Sequence, residues 1–134
     1  MTAVYLDSSA LPKLVVEEDE SAALRQWLEA RPEAAWFSSA LTEVEVLRAV
    51  QRVRPHALDA AQAVLDLVVQ LEIDEGIRRA AAELPPAGLR SLDAIHLATA
   101  LLLADEIEAI LAYDAKLSEA CKRAGLQVAA PTLL

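Results

Sequence analysis

Cysteine, glycine and aromatic residues are scarce in this chain, and positive charge is in deficit. The single cysteine, Cys121, has no second cysteine to pair with, so no internal disulfide staples the fold. A lone thiol fits a reducing compartment, and the expectation is a cytoplasmic protein. Long hydrophobic runs are also missing. The longest apolar stretch, 97–104, is interrupted by Thr99 and followed by Asp105 and Glu106. It falls far short of the roughly 20 apolar residues that a membrane-spanning helix needs. Residues 1–6 lack the positive start and apolar run of a secretory signal, so no membrane association is expected.

Lysine and arginine number 12 against 21 acidic residues, a formal charge of −9. That balance argues against loose, charge-driven binding to nucleic acid, which usually shows a basic excess. It does not argue against a cleft that gathers carboxylates around divalent cations, because the cations reverse the local sign.

What is present is a chain of 134 residues, 55% hydrophobic, dominated by alanine and leucine. Wholesale disorder is excluded, a packed core is within reach, and helix is favoured. The length suits one domain spanning 1–134. No linker, repeat or low-complexity tract interrupts it.

The apolar pattern predicts strands at 3–6, 35–38, 71–73, 109–113 and 127–129. Between them it predicts a short helix at 10–16, with Ser8 and Ser9 as caps and Pro12 in its first turn. Further helices are expected at 20–30, 42–52, 56–70, 75–83, 92–103 and 115–124, with Ser91 capping the 92–103 helix and Gly125 closing the last. Strands alternating with helices imply a three-layer α/β/α fold around a parallel sheet. In such sheets ligands gather beyond the carboxyl ends of the strands.

That rule gives the acids meaning. Asp7 closes the first predicted strand and Asp114 the fourth, which places both at one edge. Asp93 opens the 92–103 helix, and Glu45 lies on the 42–52 helix. Hard cations such as Mg²⁺ and Mn²⁺ prefer oxygen ligands, and a cation so held activates water and polarises a phosphoryl group. Each acid also has an ordinary alternative. Asp7 and Asp114 suit helix caps or turns, Asp93 suits the helix dipole, and Glu45 suits a pair with Arg48. Spacing does not separate Glu43 from Glu45, and a helical wheel sets Glu43 nearer the stripe of Val46, Val50 and Val53.

Local strings add to this. Val-Tyr-Leu-Asp-Ser-Ser-Ala-Leu (4–11) resembles the opening of PIN-domain ribonucleases. Ser-Ser-Ala-Leu-Thr-Glu-Val-Glu-Val-Leu-Arg-Ala (38–49) resembles their second motif and selects Glu45. Leu-Arg-Ser-Leu-Asp-Ala-Ile-His-Leu-Ala-Thr-Ala (89–100) is the most specific segment; it is similar to the third motif of VapC-type toxins and selects Asp93. Leu-Ala-Tyr-Asp-Ala-Lys-Leu (111–117) resembles the fourth and selects Asp114, although Ala112 stands where many relatives carry a hydroxyl. The motifs run in order from Val4 to Pro131.

The resemblance implies a five-stranded parallel sheet of order 3-2-1-4-5. It implies Mg²⁺- or Mn²⁺-dependent hydrolysis of RNA, often at one site in a tRNA or ribosomal RNA. Asp7 and Asp93 become the principal metal ligands and catalytic residues; Glu45 and Asp114 bind a second ion directly or through water. It also implies a homodimer, inhibited by a VapB antitoxin whose tail enters the cleft.

Other residues carry weaker expectations. His96 shares a helix face with Asp93, and hydrogen bonding is expected of it rather than metal ligation. Cys121 is expected to be inert and His56 exposed. Trp27 and Trp36 suit packing better than base stacking. Lys13, Arg48, Arg52, Arg54, Arg90 and Lys116 are the candidates for holding phosphates. Two rival readings stand beside the ribonuclease. One is a non-catalytic binding module on the same fold. The other is a phosphatase or a phosphoacceptor domain, for which Asp7-Ser8-Ser9 lacks the second aspartate and Asp74 with Lys116 fits only loosely.

Overall fold

β1 (Ala3–Leu6) is buried at every position, as a strand covered on both faces must be. In the computed structural model, which describes residues 2–132, it lies at the centre of a five-stranded sheet of order β3-β2-β1-β4-β5. The other strands are β2 (Ala35–Ser39), β3 (Val68–Leu71), β4 (Ile107–Leu111) and β5 (Val128–Ala129), and every pairing is parallel. The order matches the expectation.

Alternate residues of β1 feed two cores. Val4 and Leu6 pack with Leu24, Leu28, Val46, Val50 and Leu65, which brings α1 (Ser21–Glu29), α2 (Ala40–Val53) and α3 (Leu58–Leu65) onto one face. Tyr5 packs with Leu97, Ile110, Leu117 and Cys121, which brings α5 (Ser91–Leu102) and α6 (Ala115–Arg123) onto the other. α4 (Glu75–Glu83) lies against α5. The result is the three-layer arrangement.

Caps set where the helices begin and end. Ser39 accepts from the Leu41 N–H to open α2, and Asp74 accepts from the Ile77 N–H to open α4. α6 ends in a Schellman turn: Leu126 N–H donates to Cys121 O, Gly125 N–H donates to Lys122 O, and Gly125 sits at φ +92°.

Several expected boundaries move. The third strand is Val68–Leu71 rather than 71–73, and the expected 56–70 helix divides into a 3-10 turn at Pro55–Ala57 and α3. Val68 and Val69 pair in register with Trp36 and Phe37, and that ladder outweighs helical continuation. The expected 10–16 helix is a 3-10 turn, Leu11–Leu14, with no side-chain cap from Ser8 or Ser9. α5 takes Ser91 inside its first turn, and Arg90 holds the N-cap position without a side-chain bond. β4 ends at Leu111, so Asp114 stands three residues past it and caps α6. Among the described residues, no helix is long and apolar enough to cross a membrane.

Candidate active site

The end of β1 delivers Asp7. Its backbone N–H continues the sheet by donating to Leu111 O at 3.2 Å. Its Oδ1 accepts from Ser9 N (2.9 Å), Ser9 Oγ (2.7 Å) and Ala10 N (3.1 Å). One carboxylate oxygen thus holds the turn, while Oδ2 has no hydrogen bond among the described residues. Asp7 is 2% exposed. Burial pushes its carboxyl up to about 6, against the partial relief given by the Ser9 hydroxyl, His96 and the two backbone N–H groups.

Ser9 reaches further. Its Oγ also accepts from Tyr113 N at 2.8 Å, which ties the turn after β1 to the residue before Asp114. Asp114 spends Oδ1 on the Leu117 N–H at 2.9 Å. It caps α6 as one alternative expected, and it lines the acid pocket from a loop three residues beyond β4 rather than from the strand end.

α2 delivers Glu45. Ser38 fastens the entry to this helix by donating to Leu6 O at 2.6 Å and bonding Thr42 Oγ1 at 2.7 Å. Glu45 is half-buried and meets His96 Nε2 at 2.8 Å, whereas Glu43 is exposed. His96 Nδ1 meets the Tyr5 hydroxyl at 2.8 Å. Both ring nitrogens of His96 are therefore engaged.

α5 delivers Asp93, buried in its first turn. Arg90 Nε lies 3.2 Å from Asp93 Oδ2, and Arg90 Nη2 lies 3.6 Å from Asp114 Oδ2.

Asp7, Glu45, Asp93 and Asp114 line one pocket of about 340 Å³, together with Ser8, Ser9, Arg90, Ser91 and Leu92. Among the described residues, no three acidic, histidine or cysteine side chains stand close enough to form a ready-made metal cluster. The acids face a common space with a guanidinium between two of them. The donor set is oxygen apart from that guanidinium, because His96 is committed to Tyr5 and Glu45. A hard divalent cation fits such donors.

The PIN domain sequence pattern matches residues 4–123. Ribonuclease VapC35 of Mycobacterium tuberculosis is 48% identical over 130 residues, which span 96% of each chain. The chain belongs to the VapC family of PIN-domain ribonucleases. Ribonuclease VapC46 of the same species is 42% identical over 132 residues, covering 98% of this chain and 100% of that one. The crystal structure of M. tuberculosis VapC20, described as a sarcin–ricin-loop-cleaving toxin, matches with a TM-score of 0.73 at 17% identity. It covers 92% of this chain and 96% of that one, and the likeness bears on the fold.

The other candidate residues of this VapC chain have separate places. Lys13 is not free for phosphate: its Nζ is 2.9 Å from Glu20 and 3.3 Å from Glu18, and it lies over the Tyr113 ring. Arg52 and Arg54 line a separate groove that shares Ser9 with the acid pocket, while Arg48 lines a depression between α2 and α3. Trp27 and Trp36 pack against the core, with the Arg31 guanidinium 3.5 Å over the Trp27 ring. His56 is exposed. Cys121 is buried, and burial holds its thiol up at about 12. Ala112 lies in the core rather than in the acid pocket, and the hydroxyl beside this loop comes from Ser9. Asp74, the acid of the phosphoacceptor alternative, caps α4 after the edge strand β3 and does not line the acid pocket. Sequence reasoning missed the double duty of Ser9 and the support that Tyr5 gives His96. An Asp-x-Ser turn signals the first; a fully buried strand offers no signal for the second.

Proposed function

We propose that this chain is the toxin of a VapBC-type pair and hydrolyses RNA phosphodiester bonds with Mg²⁺ or Mn²⁺ held by Asp7, Glu45, Asp93 and Asp114. The observation that carries the reading is the shared pocket. Acids from the end of β1, from α2, from the start of α5 and from the cap of α6 line it together. Buried like charges are costly without a partner, and a divalent cation is the partner that this donor set suits.

The protein's own groups divide the work. Asp7 keeps Oδ1 on the turn and leaves Oδ2 for the cation. Glu45 is aimed by His96. Asp93 offers a carboxylate oxygen and Asp114 offers Oδ2, and the Ser8 and Ser91 hydroxyls supply hydrogen bonds to water or phosphate, while the Ser9 hydroxyl stays on Asp7. A bound cation supplies Lewis acidity, which makes water a better nucleophile and stabilises the charge that develops on phosphorus oxygens. No protein nucleophile is needed.

The substrate class is a structured cellular RNA, a tRNA or ribosomal RNA. The partners are a VapB-type antitoxin and a second copy of the chain, for which exposed Leu92 and Leu102 are available apolar surface. The test is cleavage of total cellular RNA by purified protein with Mg²⁺ or Mn²⁺, with mapping of the new ends. Asp7→Asn and Asp93→Asn are expected to abolish the cuts; undiminished cutting by both overturns the reading.

A further inference from the structure

Arg90 is the one basic side chain that lines the acid pocket among the described residues. Its side chain is 69% exposed, yet it rests on two carboxylates rather than extending into solvent. The oxygens it holds are Asp93 Oδ2 and Asp114 Oδ2. Asp114 Oδ2 is the oxygen that Asp114 has left for a cation, since its Oδ1 is committed to the α6 cap. The guanidinium and a divalent ion therefore compete for Asp114 Oδ2, and the guanidinium's charge beside Asp93 opposes a cation there as well.

A guanidinium does not escape that competition by losing its proton, because it stays charged at any physiological pH. Once Asp93 and Asp114 bind a cation, Arg90 must find another anion or return to water. It stands at the extended residue just before α5, with a long side chain and no burial to restrain it. The anion that arrives at this pocket is an RNA phosphate, and the planar fork of arginine is suited to phosphate oxygens.

We propose that Arg90 has two alternating partners: Asp93 and Asp114 in the metal-free protein, and the phosphate of the bound RNA in the working one. This rests on the ribonuclease reading above, and it adds a substrate-binding residue to that site. In the first state Arg90 weakens cation binding by occupying its oxygens and offsets the mutual repulsion of the acids. In the second it ties cation loading to substrate capture, because the guanidinium becomes free for phosphate when the carboxylates are satisfied.

The test pairs two measurements on the full chain. Isothermal titration of Mn²⁺ into metal-free protein, with no RNA present, reads the first state. Arg90→Ala is expected to bind Mn²⁺ about 2- to 5-fold more tightly than wild type, the scale of losing one exposed ion pair. Arg90→Lys keeps the charge and is expected to fall between the two. Binding of a fluorescent RNA spanning the mapped cut, with a non-hydrolysable phosphonate at the scissile linkage, reads the second state at saturating Mn²⁺ with every cation-binding residue in place. There Arg90→Ala is expected to weaken binding about tenfold, the scale of a charge-assisted hydrogen bond. It should also lower the salt slope by about 0.7, the scale of one phosphate contact on a single strand.

Equal Mn²⁺ affinity in wild type and Arg90→Ala overturns the proposal and leaves the ribonuclease reading intact. Unchanged RNA binding overturns it as well. Wild type that binds no Mn²⁺ overturns the cation site and Arg90's role together. Arg90 is largely exposed, so both variants are expected to fold, and circular dichroism checks this.

Discussion

His96 Nε2 stands 2.8 Å from Glu45 Oε1, and this bond is the link between the buried core under the sheet and the acid pocket. A carboxylate only accepts, so the proton of this bond sits on Nε2. In the neutral ring Nδ1 then accepts from the Tyr5 hydroxyl at 2.8 Å. The glutamate in α2 thereby sets the tautomer of a histidine in α5, and a tyrosine in the central strand holds that ring by its other nitrogen.

Breaking either link has a predicted cost. Tyr5→Phe leaves Nδ1 without its donor and is expected to cost about 1–2 kcal/mol, with a several-fold loss of cleavage. His96→Phe strands the Tyr5 hydroxyl in the core and is expected to cost about 2–3 kcal/mol. The double variant replaces both partners with apolar rings. It should recover part of the stability without recovering activity. Urea unfolding midpoints and cleavage rates of the three variants check this; additive losses of stability would show that the two residues act independently.

The sheet was legible because strands and helices alternate, and its order came with the family motifs. The edge of β3 was not, because the apolar stretch from Ala61 to Leu71 reads equally as helix or strand. Only pairing with Trp36 and Phe37 decides it. The acids at strand ends followed from the sheet rule, even though β4 stops three residues short of Asp114. Glu45 did not follow from its own helix. A helical wheel measures distance from the core-facing stripe, whereas Glu45 is placed by α5 on the flank of α2, where His96 meets it. The positions of Arg90 and Ser9 depend on side-chain directions that no periodicity encodes.

Gly125 tests the account of the α6 terminus. Its φ of +92° lies where a side chain is strained, although a Cβ added there would meet nothing within 4 Å. Gly125→Ala is therefore expected to cost about 1 kcal/mol through backbone strain alone. Thermal unfolding reads the loss, and RNA cleavage at low temperature should be unchanged, since the turn is remote from the acid pocket.

Cys121 gives a chemical check of the second core. With its thiol held up at about 12 and its side chain buried, the reactive thiolate is almost absent near neutral pH. Iodoacetamide at pH 8 is expected to leave the folded protein unlabelled on the minute scale and to label it fully in denaturant. Rapid labelling under native conditions would mean that the packing around Leu97, Leu117 and Leu126 opens readily.

Asp7 links the proposed chemistry to stability, and the sign of the link can be worked out. Its folded carboxyl sits at about 6, raised from 3.8 mainly by burial. Well below pH 3.8 the group is protonated in both states and carries no penalty. Between about pH 4 and 6 the unfolded chain releases this proton while the folded protein keeps it, so stability is lost across that window and levels off above 6. The free energy at stake is at most on the order of 3 kcal/mol. Asp7→Asn keeps an oxygen to accept from Ser9 and Ala10 and removes the charge. In metal-free buffer the variant is therefore expected to be more stable than wild type at pH 8, by on the order of 1–3 kcal/mol. The gap should close towards pH 4. Cleavage is expected to vanish at every pH. Urea unfolding at pH 4, 6 and 8 reads the difference, and a variant less stable than wild type at pH 8 would mean that the Asp7 charge is already compensated inside the protein, which removes the case for a cation there.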